Sequence, residues 1–187
     1  MLLTCIVGCT GEGKSEVAKA MAKRAEYLCA WDVQGEYGLS YDMRASPKRF
    51  ALNPREHAIK DFIEITRVSE GYTFLCEEMT GYFRNGRLPE NFVKEILSKR
   101  HSKNSFILIF HTLNSIPPEL WGFCDVLIMF KTEDLERTVK SKYPNLHEHW
   151  LRLQTSTARH PTPTGGTWTI GDHYILNKTN LVNNMKK

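Results

Sequence analysis

A mostly apolar run, Leu2 to Val7, breaks at Gly8-Cys9-Thr10-Gly11-Glu12-Gly13-Lys14-Ser15 and passes at once into Glu16-Val17-Ala18-Lys19-Ala20-Met21-Ala22, a stretch of good helix formers. Glycine, four residues, then Gly-Lys-Ser is the Walker A spacing, and it stands in the strand–loop–helix setting that the motif needs. The residue types follow from the ligand. Glycines let consecutive backbone N–H groups turn inward around phosphate oxygens, and the helix N-terminus behind them adds its positive dipole end. Gly8, Cys9, Thr10, Gly11, Glu12, Gly13, Lys14, Ser15 and Glu16 are therefore the expected phosphate cradle. Lys14 is expected on the β- and γ-phosphates of a nucleoside triphosphate, and Ser15 on Mg²⁺. A glycine-rich turn that binds nothing is the competing interpretation, and the flanking strand and helix weigh against it.

At 187 residues the chain suits one α/β domain with a proper core. Residues 1–153 are expected to form the nucleotide-binding core, with 154–187 a C-terminal extension of the same domain that carries a β-hairpin. The net charge of +4 permits a basic surface for nucleic acid without demanding one. Cys5, Cys9, Cys29, Cys76 and Cys124 are odd in number and lack paired-ligand spacing. They point to reduced, buried thiols in a cytosol-like compartment, not to a disulfide framework or a zinc site. With the glycine octet starting at residue 8, no signal peptide is expected, and no run of about 18 apolar residues is present to span a membrane.

Along the chain, Tyr27 to Trp31 reads as a second strand ending at Asp32, followed by the polar exit Val33-Gln34-Gly35-Glu36-Tyr37-Gly38. Asp32 and Glu36 sit where α/β sheets bind ligands. Either they reach Mg²⁺ through a water or position a neighbouring subunit, or they shape the turn. Residues 38–53 read as an irregular loop with Arg44, Lys48 and Arg49, a surface for nucleic acid or a subunit, or simply for solvent. Asn53-Pro54 predicts a helix start, with Asn53 as cap and Ile59, Phe62, Ile63 and Ile65 on the apolar side. The next buried strand, Gly71 to Cys76, ends in Glu77-Glu78. A carboxylate there is placed for the Mg²⁺ shell, and its neighbour for polarising an attacking water; Glu77 takes the first role and Glu78 the second. Arg84 and Arg87 follow in a loop, then a helix from Pro89 to Arg100-His101. The strand Phe106 to Phe110 ends in His111-Thr112, where His111 is either a γ-phosphate sensor or a satisfied strand-end histidine. Asp125 to Phe130 reads as a fifth strand, Thr132 as a helix cap and Asn145 to Leu153 as a helix. Thr167 to Ile170 and His173 to Leu176 read as a hairpin turning at Gly171-Asp172.

This order of strand tips resembles the FtsK-HerA group of P-loop ATPases, over about residues 2–131, and Asp32-Val-Gln-Gly-Glu36-Tyr37 is similar to the HerA-type Asp-x-x-Gly-Glu-Tyr signature. The resemblance implies an α/β P-loop NTPase fold of the ASCE, RecA-like kind, with a mainly parallel sheet flanked by helices. Glu77-Glu78 take the Walker B place and His111-Thr112 the sensor place, where the group more often has Gln. Within the group, the compact size is similar to the genome-packaging ATPases of membrane-containing icosahedral viruses. That implies an ATP- and Mg²⁺-dependent motor moving double-stranded DNA irrespective of sequence, in the host cytoplasm or at the virion vertex beside capsid or portal proteins. It also implies a homo-hexameric ring in which an arginine of one subunit completes its neighbour's site, with Arg84, Arg87 and Arg100 as candidates. The alternatives are a small P-loop nucleotide or metabolite kinase, or a filamentous-phage assembly ATPase of the zonula occludens toxin type.

Overall fold

The computed structural model describes residues 1–78, 89–161 and 169–178. Strand β1 (Leu3–Val7) is buried along its whole length, as expected of a central strand covered on both faces. It leads through the glycine octet into α1 (Lys14–Lys23), with Glu16 in the first turn and Lys23 in the last, each on the side that suits the helix dipole. The chain continues through β2 (Leu28–Trp31), β3 (Arg49–Leu52), α2 (Ile59–Val68), β4 (Thr73–Cys76), α3 (Glu90–Ser102) and β5 (Ser105–Phe110). A short 3₁₀ turn, Leu113–Ser115, and α4 (Pro118–Trp121) lead to β6 (Val126–Met129), α5 (Glu136–Lys142) and α6 (His147–Thr155). Three short strands complete the described chain: β7 (Arg159–Pro161), β8 (Thr169–Gly171) and β9 (Tyr174–Asn177).

Seven strands form one sheet in the order β3-β2-β4-β5-β1-β6-β9. All pair in parallel except β9, which runs antiparallel to β6 at the edge. Alternate residues of each strand face opposite sides. Leu3, Cys5 and Val7 join a core with α2 to α6, whereas Ile6 joins Val17, Ala18 and Ala22 of α1 on the other face. Strand β5 lies between β1 and β4, so the glycine octet and the Glu77-Glu78 tip leave the same end of the sheet with one strand between them. This is the α/β, mainly parallel arrangement that the motif order implies. Among the described residues no helix is long and apolar enough to cross a membrane. The cysteines are all free thiols, four of them buried.

Four local expectations give way to the structure. Residues 38–53 are not all irregular: β3 pairs with β2, and Phe50, Ala51 and Leu52 are buried. Arg49, counted among the basic loop residues, donates instead to the carbonyls of Ala22 and Ala25 at the end of α1. The guanidinium thereby caps the C-terminal end of α1, adding to the bond that Ala22 O already accepts from Ala25 N at 3.1 Å. Second, α2 begins six residues after Asn53. The Asn53 side chain accepts from Arg55 N at 2.9 Å and makes a local turn, while Asp61 caps the helix by accepting from Ala58 N at 2.9 Å. Third, Thr132 does not cap α5, which starts after Leu135. It is buried, accepting from Trp150 Nε1 at 3.0 Å through its hydroxyl and from Gln154 at 2.9 Å through its carbonyl. Fourth, β8 and β9 are not a hairpin. Strand β8 pairs with β7 in a separate two-stranded ribbon, and β9 completes the main sheet. Gly171-Asp172 therefore carries the chain from the ribbon to the main sheet in place of turning a hairpin.

Candidate active site

The octet is fastened to the strands on either side of it. Gly8 N donates to Phe110 O at 3.2 Å and Cys9 N to Lys131 O at 2.7 Å. A Cβ at Gly8 would lie 2.6 Å from Phe130 Cβ, so only glycine passes here. Gly13 is the helix cap at φ 96°, ψ 20°, a conformation that costs an L-residue roughly 1–2 kcal/mol. A Cβ there would meet Ile170 Cγ2 at 2.4 Å and Ile170 Cα at 3.1 Å. The contact reveals what lies behind the loop. The β7–β8 ribbon docks on its outer side, with Gly171 N donating to Glu12 O at 3.0 Å and Arg159 reaching Glu12 Oε2 at 3.2 Å.

Gly13→Ala should consequently strain the backbone and push β8 away. We expect a loss of about 2–5 kcal/mol, the sum of the left-handed penalty and of overpacking. Ile170→Ala carries its own cost, because Ile170 is buried. In that background Gly13→Ala should cost only the left-handed penalty. Urea midpoints of the wild type, both single variants and the double, at unchanged slope, measure the difference; a Gly13→Ala cost equal in the two backgrounds would mean that Ile170 does not press on the loop.

On the inner side is a cavity of about 490 Å³. Lys14, Ser15, Glu77, Glu78 and His111 all line it. Lys14 is buried and donates to Cys9 O at 2.8 Å, and burial pulls its ammonium below the ordinary lysine value despite the carboxylates around it. Ser15 Oγ donates to Glu77 Oε1 at 3.2 Å, and Tyr37 OH donates to the same oxygen at 2.9 Å. Glu77 Oε2 is buried with no hydrogen-bond partner. Burial pushes the Glu77 carboxyl above its ordinary range, opposed by the bonds from Tyr37 and Ser15. Burial, with Glu77 beside it, also pushes the Tyr37 phenol far up, which leaves it a donor.

An unpartnered buried carboxylate oxygen beside a serine whose hydrogen is already committed fits a hard cation. Ser15 keeps its lone pairs for such an ion, and Glu77 offers Oε2. Among the described residues no cluster of three or more His, Cys, Asp or Glu side chains is arranged to hold a metal alone. Mg²⁺ is commonly held by one or two carboxylates together with substrate phosphates. When bound, Mg²⁺ would neutralise charge on the phosphate oxygens.

Glu78 carries φ 48°, one of two positive-φ residues other than glycine among the described residues. Such strain concentrates at functional positions. Asp32 does not line the cavity. It is buried, and its two oxygens accept from Gly35 N at 2.7 Å, Glu36 N at 3.1 Å and Tyr37 N at 3.3 Å. Of the alternatives open for Asp32, the geometry favours shaping the turn over reaching the metal through water. Glu36 pairs with Lys19 at 3.3 Å, and Lys19 also holds Glu16 at 2.8 Å. Thr112 turns away as the cap of Leu113–Ser115, so His111 alone of the strand tip faces the cavity. Arg84 and Arg87 lie outside the described residues, as does the Arg100 side chain. The Arg100 backbone belongs to the last turns of α3, whose end approaches the start of β4 through Gly71 N to Ser102 O at 2.9 Å. That is the end of the sheet opposite the chain's own glycine octet.

Pattern and spacing did not single out Lys19, Gln34 and Thr169, which line the cavity, nor Tyr37, Arg159 and Ile170, which support its walls. Tyr37 stands inside the Asp32–Tyr37 signature, which was the available signal. Arg159 is 147 residues from Glu12 and carried none.

No family model matches the sequence, and no curated protein matches it. Solved structures do, and they make the fold that of a P-loop NTPase. The genome packaging NTPase B204 from Sulfolobus turreted icosahedral virus 2, in complex with AMP, superposes with a TM-score of 0.68 at 16% identity, over 96% of this chain and 94% of that chain. The same protein with ATP-gammaS gives a TM-score of 0.65 at 13% identity, over 92% and 95%. The N-terminal domain of zonular occludens toxin from Neisseria meningitidis gives 0.53 at 12% identity, over 96% of each chain. These neighbours match the group that the motif order resembles.

Proposed function

We propose that this chain is an ATPase that drives double-stranded DNA through a ring of its own copies, as a viral genome-packaging motor. The observation that carries the hydrolytic half is the Glu77-Glu78 tip facing Lys14 and Ser15 across one cavity. Lys14 and the N–H groups of the octet beyond Cys9 hold the phosphates, and Ser15 with Glu77 Oε2 would hold Mg²⁺. Glu78 accepts a proton from the attacking water, and His111 bonds the γ-phosphate region. Lys14 and Lys19 are the cations among the described lining residues, and Lys19 is already paired with two carboxylates. The transition state therefore calls for a further positive group, which an arginine of a neighbouring subunit supplies in this scheme, with Arg84, Arg87 and Arg100 the candidates. The DNA half is supported by the likeness to a genome packaging NTPase over nearly the full length of both chains. A motor of this kind works in the host cytoplasm or at a capsid vertex, beside portal or capsid proteins.

A translocating ring must hold every base pair it meets, so its contacts go to phosphate. ATPase activity should rise with any duplex and vary little with base composition. The stimulation should fall steeply with salt, at a log–log slope of about −0.9 per phosphate neutralised. ATPase rates on unrelated duplexes across a salt series measure this. A rate indifferent to duplex, with phosphate passed to a nucleoside or other small acceptor, would make the chain a kinase.

A further inference from the structure

We infer that Tyr37 is a positioning residue for the metal site, holding Glu77 so that the carboxylate presents one oxygen, Oε2, to the cation that accompanies ATP. The inference rests on the ATPase assignment above. Three observations converge on it. The Tyr37 hydroxyl and the Ser15 hydroxyl both donate to Glu77 Oε1, at 2.9 Å and 3.2 Å. The other oxygen is buried without a partner. The loop that carries Tyr37 is itself held: Asp32 gathers the N–H groups of Gly35, Glu36 and Tyr37, and Glu36 is tied to Lys19 on α1. The phenol is thus delivered by a fixed loop, and its ring packs against the core on the α1 side of the sheet.

The consequence is chemical. A glutamate free to turn offers a cation either oxygen or both. With Oε1 occupied by two donors, chelation through both oxygens is blocked and single-oxygen ligation remains. Mg²⁺ takes near-ideal octahedral sites with single-oxygen carboxylate ligands, whereas Ca²⁺ accepts two oxygens of one carboxylate in a looser shell. Tyr37 therefore sets which divalent ion the site prefers as well as how tightly it binds. A partner that orients a ligand in this way is typically worth 10–100-fold in metal affinity.

Tyr37→Phe removes the hydroxyl and keeps the ring. Mn²⁺ binding to the protein with ATPγS, followed by electron paramagnetic resonance of the free ion, should weaken by about 10-fold or more. Nucleotide affinity in EDTA should stay unchanged, and Ca²⁺ should compete better relative to Mg²⁺ than it does in the wild type. Unchanged Mn²⁺ affinity would overturn the inference. So would a fall in EDTA nucleotide affinity by the same factor, which would mark a general loosening of the site, and a thermal melt of the variant separates that from unfolding. A wild-type protein that takes up no Mn²⁺ with nucleotide would instead overturn the ATPase assignment itself.

Discussion

Glu78→Gln is expected to bind ATP as the wild type does and to turn it over about 10²–10⁴-fold more slowly. Glutamine has the same length and keeps a hydrogen-bonding oxygen near any water in front of the strand tip. It cannot take that water's proton. Glu77, Ser15 and Lys14 remain in place, so phosphate and metal binding should persist. The backbone supports this separation of roles, because Glu78 holds a left-handed φ of 48° on the cavity wall while Glu77 is bonded to Ser15 and Tyr37. Single-turnover hydrolysis beside equilibrium binding of a fluorescent ATP analogue distinguishes the two effects. Turnover at the wild-type rate would remove Glu78 from the chemistry.

Lys14→Ala is the second large effect, and it falls on binding. In this structure the ammonium donates to Cys9 O, inside the loop that surrounds it. Its burial already works against its charge. Phosphate oxygens would offer it stronger acceptors than that carbonyl, since charge-assisted bonds of this kind are worth roughly 1.5–3 kcal/mol each. Loss of two such bonds to the β- and γ-phosphates corresponds to a drop in ATP affinity of about 10²–10⁴-fold. Titration of the same fluorescent analogue measures it. Affinity within a factor of about three of wild type would mean that the phosphates do not sit in the octet.

The parts of the site that were legible in the sequence are those written in adjacent residues. A glycine octet between a strand and a helix can be read from spacing alone, and so can paired carboxylates at the tip of an apolar strand. What escaped depends on partners far along the chain. Strand β3 is four residues long and follows a polar, proline-containing stretch, so nothing local separates it from the loop. Asn53 has the right type for a helix cap and uses its side chain for a turn instead, a competition that only the packing of α2 decides. Thr132 was drawn away from α5 by a buried tryptophan on α6. The alternation on either side of Gly171 was real, but periodicity does not say which strand will be the neighbour. Tyr37 could be seen in the signature without its function, because its acceptor is 40 residues further on.

The ribbon behind the glycine octet has a consequence for how the protein comes into being. A ribosome extrudes β1, the octet and α1 first, yet Gly8 and Cys9 are fastened to carbonyls of Phe110 and Lys131. Ile170 and Gly171, which close the outer side of the loop, arrive later still. A nascent N-terminal segment therefore has the Walker residues without the walls that shape them. The cradle is complete only after β8 has emerged and docked, so the shape of a loop at the chain's beginning waits on residues near its other end.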